Sequence, residues 1–132
     1  MLVIERDVVR AHRQQHEVRL PKGHVEDGET DREAAVREVA EETGYHRTEI
    51  LADLGTFANQ FERSDGTVLR HEHYYLMRVS STEQPKPAPV DSEEALFENV
   101  WTDPADAAAR LTFDAERRFV HLALAVLKRS SA

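Results

Sequence analysis

The chain has 132 residues, 40% of them hydrophobic, which is enough for one domain with a real core and too little for two. Its 25 acidic against 17 basic residues leave a net charge of −8, which disfavours non-specific binding to nucleic acid or anionic membrane, and the absence of cysteine excludes disulfides and thiolate chemistry and suits a reducing cytoplasm. No apolar run approaches the roughly 20 residues that span a bilayer, and "MLVIERD" turns charged too early for a signal peptide, so a soluble, cytoplasmic protein without membrane or nucleic-acid partners is expected.

Leu2 to Ile4 read as a short strand, and "EVRL" at 17–20 as the edge of another, broken by Pro21 and Gly23, with a polar connection between them. Thr30 followed three residues later by Glu33 forms a capping box, so a helix is predicted from Asp31, and Gly44 stops it. The runs 50–61 and 68–79 flank "ERSDGT", whose Asp-Gly signals a hairpin. Residues 80–94 hold most of the prolines and read as an extended surface loop, after which "LFENVW" at 96–101 returns as a strand. Asp103 with Pro104 opens a short helix through Arg110, and residues 114–129 form a longer one ending in basic side chains. Strands and helices in this order predict a single α+β domain over residues 1–132, layered as a sandwich.

The helix from Asp31 carries the chemistry. At about 100° per residue, Ala35, Val36, Val39, Ala40 and Thr43 share one side, while Glu38, Glu41 and Glu42 project from the next. Like charges three and four residues apart cost a few tenths of a kcal/mol each on a bare helix. A divalent cation reverses that sign, and Mg²⁺ takes hard oxygen ligands shared between carboxylates and substrate phosphates. The plain alternative is a solvated acidic face. Against it stand the sharp turn "LPKGH", where the Gly23 carbonyl is available to the same cation, Glu29 beside the helix start, and Arg37, whose planar fork can fix a carboxylate.

Residues 23–45, "GHVEDGETDREAAVREVAEETGY", resemble the Nudix box, G-x5-E-x7-R-E-U-x-E-E-x-G-U with U apolar, at every fixed position: Gly23, Glu29, Arg37, Glu38, Val39, Glu41, Glu42, Gly44 and Tyr45. The resemblance implies an α/β/α sandwich around a mixed sheet, and hydrolysis of a nucleoside diphosphate linked to another group, dependent on Mg²⁺ with Mn²⁺ as the alternative. It makes Glu38, Glu41, Glu42 and the Gly23 carbonyl metal ligands, Glu29 a supporting metal contact and Arg37 an orienting partner. The family does not place its general base uniformly; one of the three box glutamates is one choice, and Glu94 and Glu98, before Trp101, are the choices outside the box. Family members carry a further apolar strand near the start, so the N-terminal strand here reads as short or missing, and an unpaired sheet edge makes a homodimer the expected consequence.

Substrate choice lies outside the box. The resemblance points to a small-molecule nucleotide. A proline past the box accompanies ADP-ribose hydrolases and a tyrosine accompanies dinucleoside polyphosphate hydrolases; Gln60 and Phe61 stand there, which favours a dinucleoside polyphosphate such as diadenosine tetraphosphate. In "RHEHYYLM" at 70–77, alternation sends His71, His73 and Tyr75 to one face and Glu72 and Tyr74 to the other. His73 and Tyr74 are expected phosphate contacts, and Lys22 and His24, beside the box glycine, a source of positive charge. Each equally suits an ordinary surface or core position. The alternatives are a MutT-like nucleoside triphosphate pyrophosphohydrolase, an ADP-ribose or other nucleotide-sugar pyrophosphatase, and a non-catalytic nucleotide sensor, which would ordinarily have lost a box glutamate.

Overall fold

A computed structural model describes residues 1–10, 13–22, 25–80, 83, 85 and 97–130, with the side chains of 8–10, 59, 61, 63, 70 and 130 left aside. Strand β1 (Leu2–Arg10) pairs antiparallel with β2 (Arg13–Arg19) on one side and with β5 (Glu98–Trp101) on the other. A second sheet is the hairpin of β3 (Thr48–Arg63) and β4 (Gly66–Val79), closed where Arg63 pairs with Gly66. Gly66 takes φ 135°, a backbone conformation that side chains rarely tolerate. The α+β class holds, and every described strand pairing is antiparallel. Glu94, Gly23 and His24 lie outside the described residues.

The N-terminal strand is not short. Glu5, Arg6 and Asp7 continue β1 instead of ending it, and two of the three stand opposite polar partners on β2: Arg6 opposite Glu17 and Asp7 opposite His16, while Glu5 stands opposite Val18. Two of these charges point inward. Glu17 is 2% exposed and faces the Arg6 guanidinium at 3.9 Å, an ion pair on the buried side of a sheet that hydropathy alternation cannot reveal.

Helix α1 (Asp31–Thr43) begins on the reciprocal capping box of Thr30 and Glu33 and ends on Gly44 at φ 85°, whose N–H reaches the Ala40 carbonyl. The short α2 (Pro104–Arg110) starts on Asp103, whose side chain accepts the Ala105 N–H, and α3 (Asp114–Ser130) ends with Lys128 and Arg129 against its C-terminal dipole. The core lies between the first sheet, α2 and α3. Val3, Val18, Ala107, Ala108, Leu111 and Val120 form one buried cluster, and each fully buried valine or leucine contributes about 1.5–3 kcal/mol. Thr112 secures the arrangement by donating its N–H to the Val18 carbonyl and accepting the Val18 N–H on Oγ1.

Strand β4 runs between two helices. On one face His73 reaches Asp31 at the start of α1, and on the other Tyr74 stacks on Phe119 of α3, ring centroids 4.0 Å apart. This is the helix–sheet–helix layering expected of the sandwich. The C-terminal end of α1 is tied to β5 by Asn99, which donates to the Thr43 carbonyl at 2.7 Å, and by Trp101, whose indole N–H donates to the Tyr45 hydroxyl at 3.1 Å.

Candidate metal centre

Arg37 gathers the first group of carboxylates. Its Nε and Nη2 donate to the two oxygens of Glu29 at 2.8 and 3.0 Å, a bidentate fork, while Nη1 donates to Glu38 at 2.7 Å and Glu41 at 3.1 Å. Glu26 stands 3.7 Å from the same nitrogen. Helical geometry explains the grouping. Arg37 and Glu41 are one turn apart, and Glu29 is brought back to them because its Oε1 also accepts the Glu26 N–H and its N–H meets the Glu26 carbonyl, folding the segment before the helix into a turn. Arg37 holds the Glu29 carboxyl below the usual carboxylate range, with the Glu26 N–H assisting, and Glu29 in turn raises the Arg37 guanidinium.

Glu42 behaves differently. The expected exposed face of three glutamates is divided: Glu42 is 5% exposed, because Ala34, Glu38 and Glu42, spaced by four, form the inward line of α1. Its Oε1 accepts the Lys22 N–H at 3.1 Å; its Oε2 makes no hydrogen bond, with the Arg19 guanidinium 3.6 Å away. Burial, opposed by Arg19 and reinforced by the neighbouring Glu38 carboxyl, pushes Glu42 up to about 8. A buried carboxylate oxygen lacking a hydrogen bond, next to a second carboxylate, is the donor set a hard divalent cation satisfies. Glu38 joins the two groups, since it touches both Arg37 and the surroundings of Glu42. No group of three acidic or histidine side chains is drawn together in metal-holding geometry among the described residues. The donor chemistry fits Mg²⁺, with Arg37 spanning the carboxylates.

The other expected contacts are placed as follows. Lys22 and Tyr74 border a cavity of about 590 Å³ that also touches Glu38, His71 and His73, but their polar atoms are already engaged. Lys22 Nζ lies 3.5 Å from Glu72 and 3.4 Å from Glu116, and the buried Tyr74 hydroxyl donates to Glu72 at 2.8 Å. Burial first, then Glu116 and Glu72, raise the Tyr74 phenol far above its ordinary value. Phe61 pairs with Val68 in the hairpin ladder, and its side chain lies outside the described set. Glu98 is exposed at the start of β5, across from Glu5.

His73 lies between two carboxylates, Nδ1 2.8 Å from Asp31 and Nε2 2.7 Å from Asp53, and stacks on Tyr75 at 4.3 Å, with the Arg32 guanidinium over the Tyr75 ring. Burial lowers its pKa, but the two carboxylates outweigh that and raise it. Asp53 is aimed by a bulge at 53/55, where Gly55 at φ 99° donates its N–H to the same carboxylate oxygen. Sequence reasoning missed Asp31, Asp53, Arg19, Glu72 and Glu116. For Glu116 a signal was present: it interrupts the apolar stripe Phe119, Val120, Ala123 one turn upstream, and an acid in such a stripe needs a buried partner.

A layered α+β domain with one helix whose carboxylates are gathered by a single arginine defines a class of fold and site. A family model described as the NUDIX domain matches residues 1–123, and the chain belongs to that family. Over 104 residues it is 38% identical to a protein named "Putative mutator protein MutT4" of Mycobacterium tuberculosis (strain CDC 1551 / Oshkosh). That stretch is 79% of this chain and 40% of the relative, so the chain spans less than half of that protein's length.

Proposed function

We propose that the protein is a Mg²⁺-dependent pyrophosphohydrolase acting on a nucleoside diphosphate linked to another group. The observation that carries this is the paired arrangement of the Arg37-held Glu38 and Glu41 and the buried Glu42, one oxygen of which makes no hydrogen bond. Glu38, Glu41 and Glu42, with the Gly23 carbonyl as the resemblance has it, would hold Mg²⁺, which neutralises pyrophosphate charge and activates water. The protein's own part is positional. Arg37 fixes Glu29, Glu38 and Glu41 in one orientation, and the Lys22 N–H fixes Glu42. Little covalent chemistry is asked of other side chains.

For the substrate, two readings stand apart. A dinucleoside polyphosphate needs extra positive charge along its phosphates, and Lys22 is spent on Glu72 and Glu116. The similarity to a protein named as a putative mutator protein supports nucleoside triphosphates, with pyrophosphate released, as the reading of choice. A Mg²⁺ assay across nucleoside triphosphates, including oxidised dGTP, diadenosine polyphosphates and ADP-ribose tests it. The expected result is the highest kcat/KM on a triphosphate; highest turnover on a diadenosine polyphosphate selects the second reading, and tight binding with no hydrolysis of any compound overturns the enzyme.

A further inference from the structure

Outside the Arg37 group, the molecule buries a carboxylate that the proposed chemistry does not use. Glu116, on α3, is 1% exposed, a position where a leucine or methionine would carry no cost of desolvating a charge. Its contacts lead back towards α1. One oxygen accepts the Leu20 N–H at 3.3 Å, and the other lies 3.4 Å from Lys22 Nζ and 3.5 Å from the Tyr74 hydroxyl. Two anchors on one three-residue stretch, a main-chain N–H at 20 and a side chain at 22, fix both the position and the rotation of that stretch. The Lys22 N–H is in turn the donor to Glu42 Oε1, 3.1 Å away.

We propose that Glu116 is a positioning residue for Glu42, acting through Lys22: by gripping segment 20–22 from α3, it aims the N–H that orients the cation-binding carboxylate. The inference rests on the cation site proposed above. It assigns a role in metal affinity to a helix about seventy residues beyond that site in sequence, and it gives Lys22 a main-chain task in place of a phosphate contact. Glu72, also 3.5 Å from Lys22 Nζ, steadies the lysine but makes no second grip on the backbone of 20–22. Its removal therefore has the smaller effect.

The test is Mn²⁺ binding to the full chain, followed by the electron paramagnetic resonance signal of the free ion, for wild type, E42Q, E116Q, K22M and the E116Q/K22M double variant, with a thermal melt of each. Supporting groups of this kind change metal affinity by about 10- to 100-fold, and E116Q, which keeps the volume and loses the charge, is expected near 10-fold. K22M is expected to match it, and the double variant to be no weaker than either single one, because both act on one line of contacts. Should E116Q not fold, K22M alone carries the prediction. E116Q or K22M that melts lower with Mn²⁺ affinity unchanged shows a purely structural role and overturns the proposal; so do losses that multiply in the double variant. Wild type that binds Mn²⁺ no better than E42Q refutes the cation site itself, and the inference falls with it.

Discussion

The carboxylates gathered by Arg37 and the buried Glu42 lie side by side along α1 and the turn before it, and they solve the problem of crowded negative charge in opposite ways. The Arg37 set is partly exposed and gathered by one guanidinium, whose fork meets Glu29, Glu38 and Glu41 at hydrogen-bonding distance. Glu42 is buried, accepts one main-chain N–H and leaves its second oxygen without a hydrogen bond beside Arg19. The first arrangement is a self-contained frame that water and salt can soften. The second sets a buried oxygen against the Arg19 guanidinium without a hydrogen bond, which is the costlier solution. A glutamate count along the helix treats the two as equal; burial separates them.

Glu42→Gln should break the comparison most severely. It keeps the shape and removes the donor, so kcat is expected to fall by about two to four orders of magnitude while the melting temperature holds or rises, since a buried carboxylate is relieved. Steady-state kinetics with a thermal melt checks it, and unchanged turnover refutes Glu42 as a ligand. Arg37→Met comes next. Releasing the frame should lower kcat by about 10- to 100-fold and, unlike Glu42→Gln, should lower the melting temperature as well, because the repulsion it offset returns. A variant that keeps full stability would show the frame to be idle.

A milder test concerns the clasp between α1 and the hairpin. His73 has its pKa raised in the fold by Asp31 and Asp53 against the opposing effect of burial, with Tyr75 and Arg32 the other groups facing it. A raised folded pKa means stability that is complete below the unfolded value, about 6.5, and is lost as pH rises through the higher folded value. The melting-temperature gap between wild type and His73→Asn is therefore expected to be widest below about pH 6.5 and to narrow as the pH rises from there; a gap that widens with pH would reverse the assignment. The smallest effect is reserved for Glu98→Gln. An exposed carboxylate at the start of β5 should change kcat by no more than about twofold, as surface substitutions do, and a large loss would bring the general base back to this strand.

What was legible in the sequence was local. The Thr30–Glu33 box, Gly44, the Asp103–Pro104 start and the hairpin turn each depend on residues within one turn of one another, and the starts of α1 and α2 fall where those signals put them, while β3 and β4 run closer to the turn than the apolar runs 50–61 and 68–79. The box residues were legible as well, because Arg37, Glu38, Glu41 and Glu29 meet through helical spacing and one short turn. Contacts between distant segments were not. Polar residues on the inner face of β1 and β2, Arg6 and Glu17, disguised a nine-residue strand as a short one. Tyr74 alternates correctly with His73, yet only the position of α3 decides that its hydroxyl meets Glu72 and Glu116. The same holds for Asp53, whose partner lies on a neighbouring strand and whose direction comes from a bulge.

The Arg37 frame has one more consequence, an electrostatic one. Glu26, Glu29, Glu38 and Glu41 all lie within 3.7 Å of a single guanidinium, so around Arg37 the carboxylates outnumber the cation that gathers them. That surplus sits at the partly open rim, outside the buried Glu42. The field of such a group of carboxylates extends over roughly one Debye length, about 8–10 Å at physiological salt. The reach of any such field shortens as ionic strength rises.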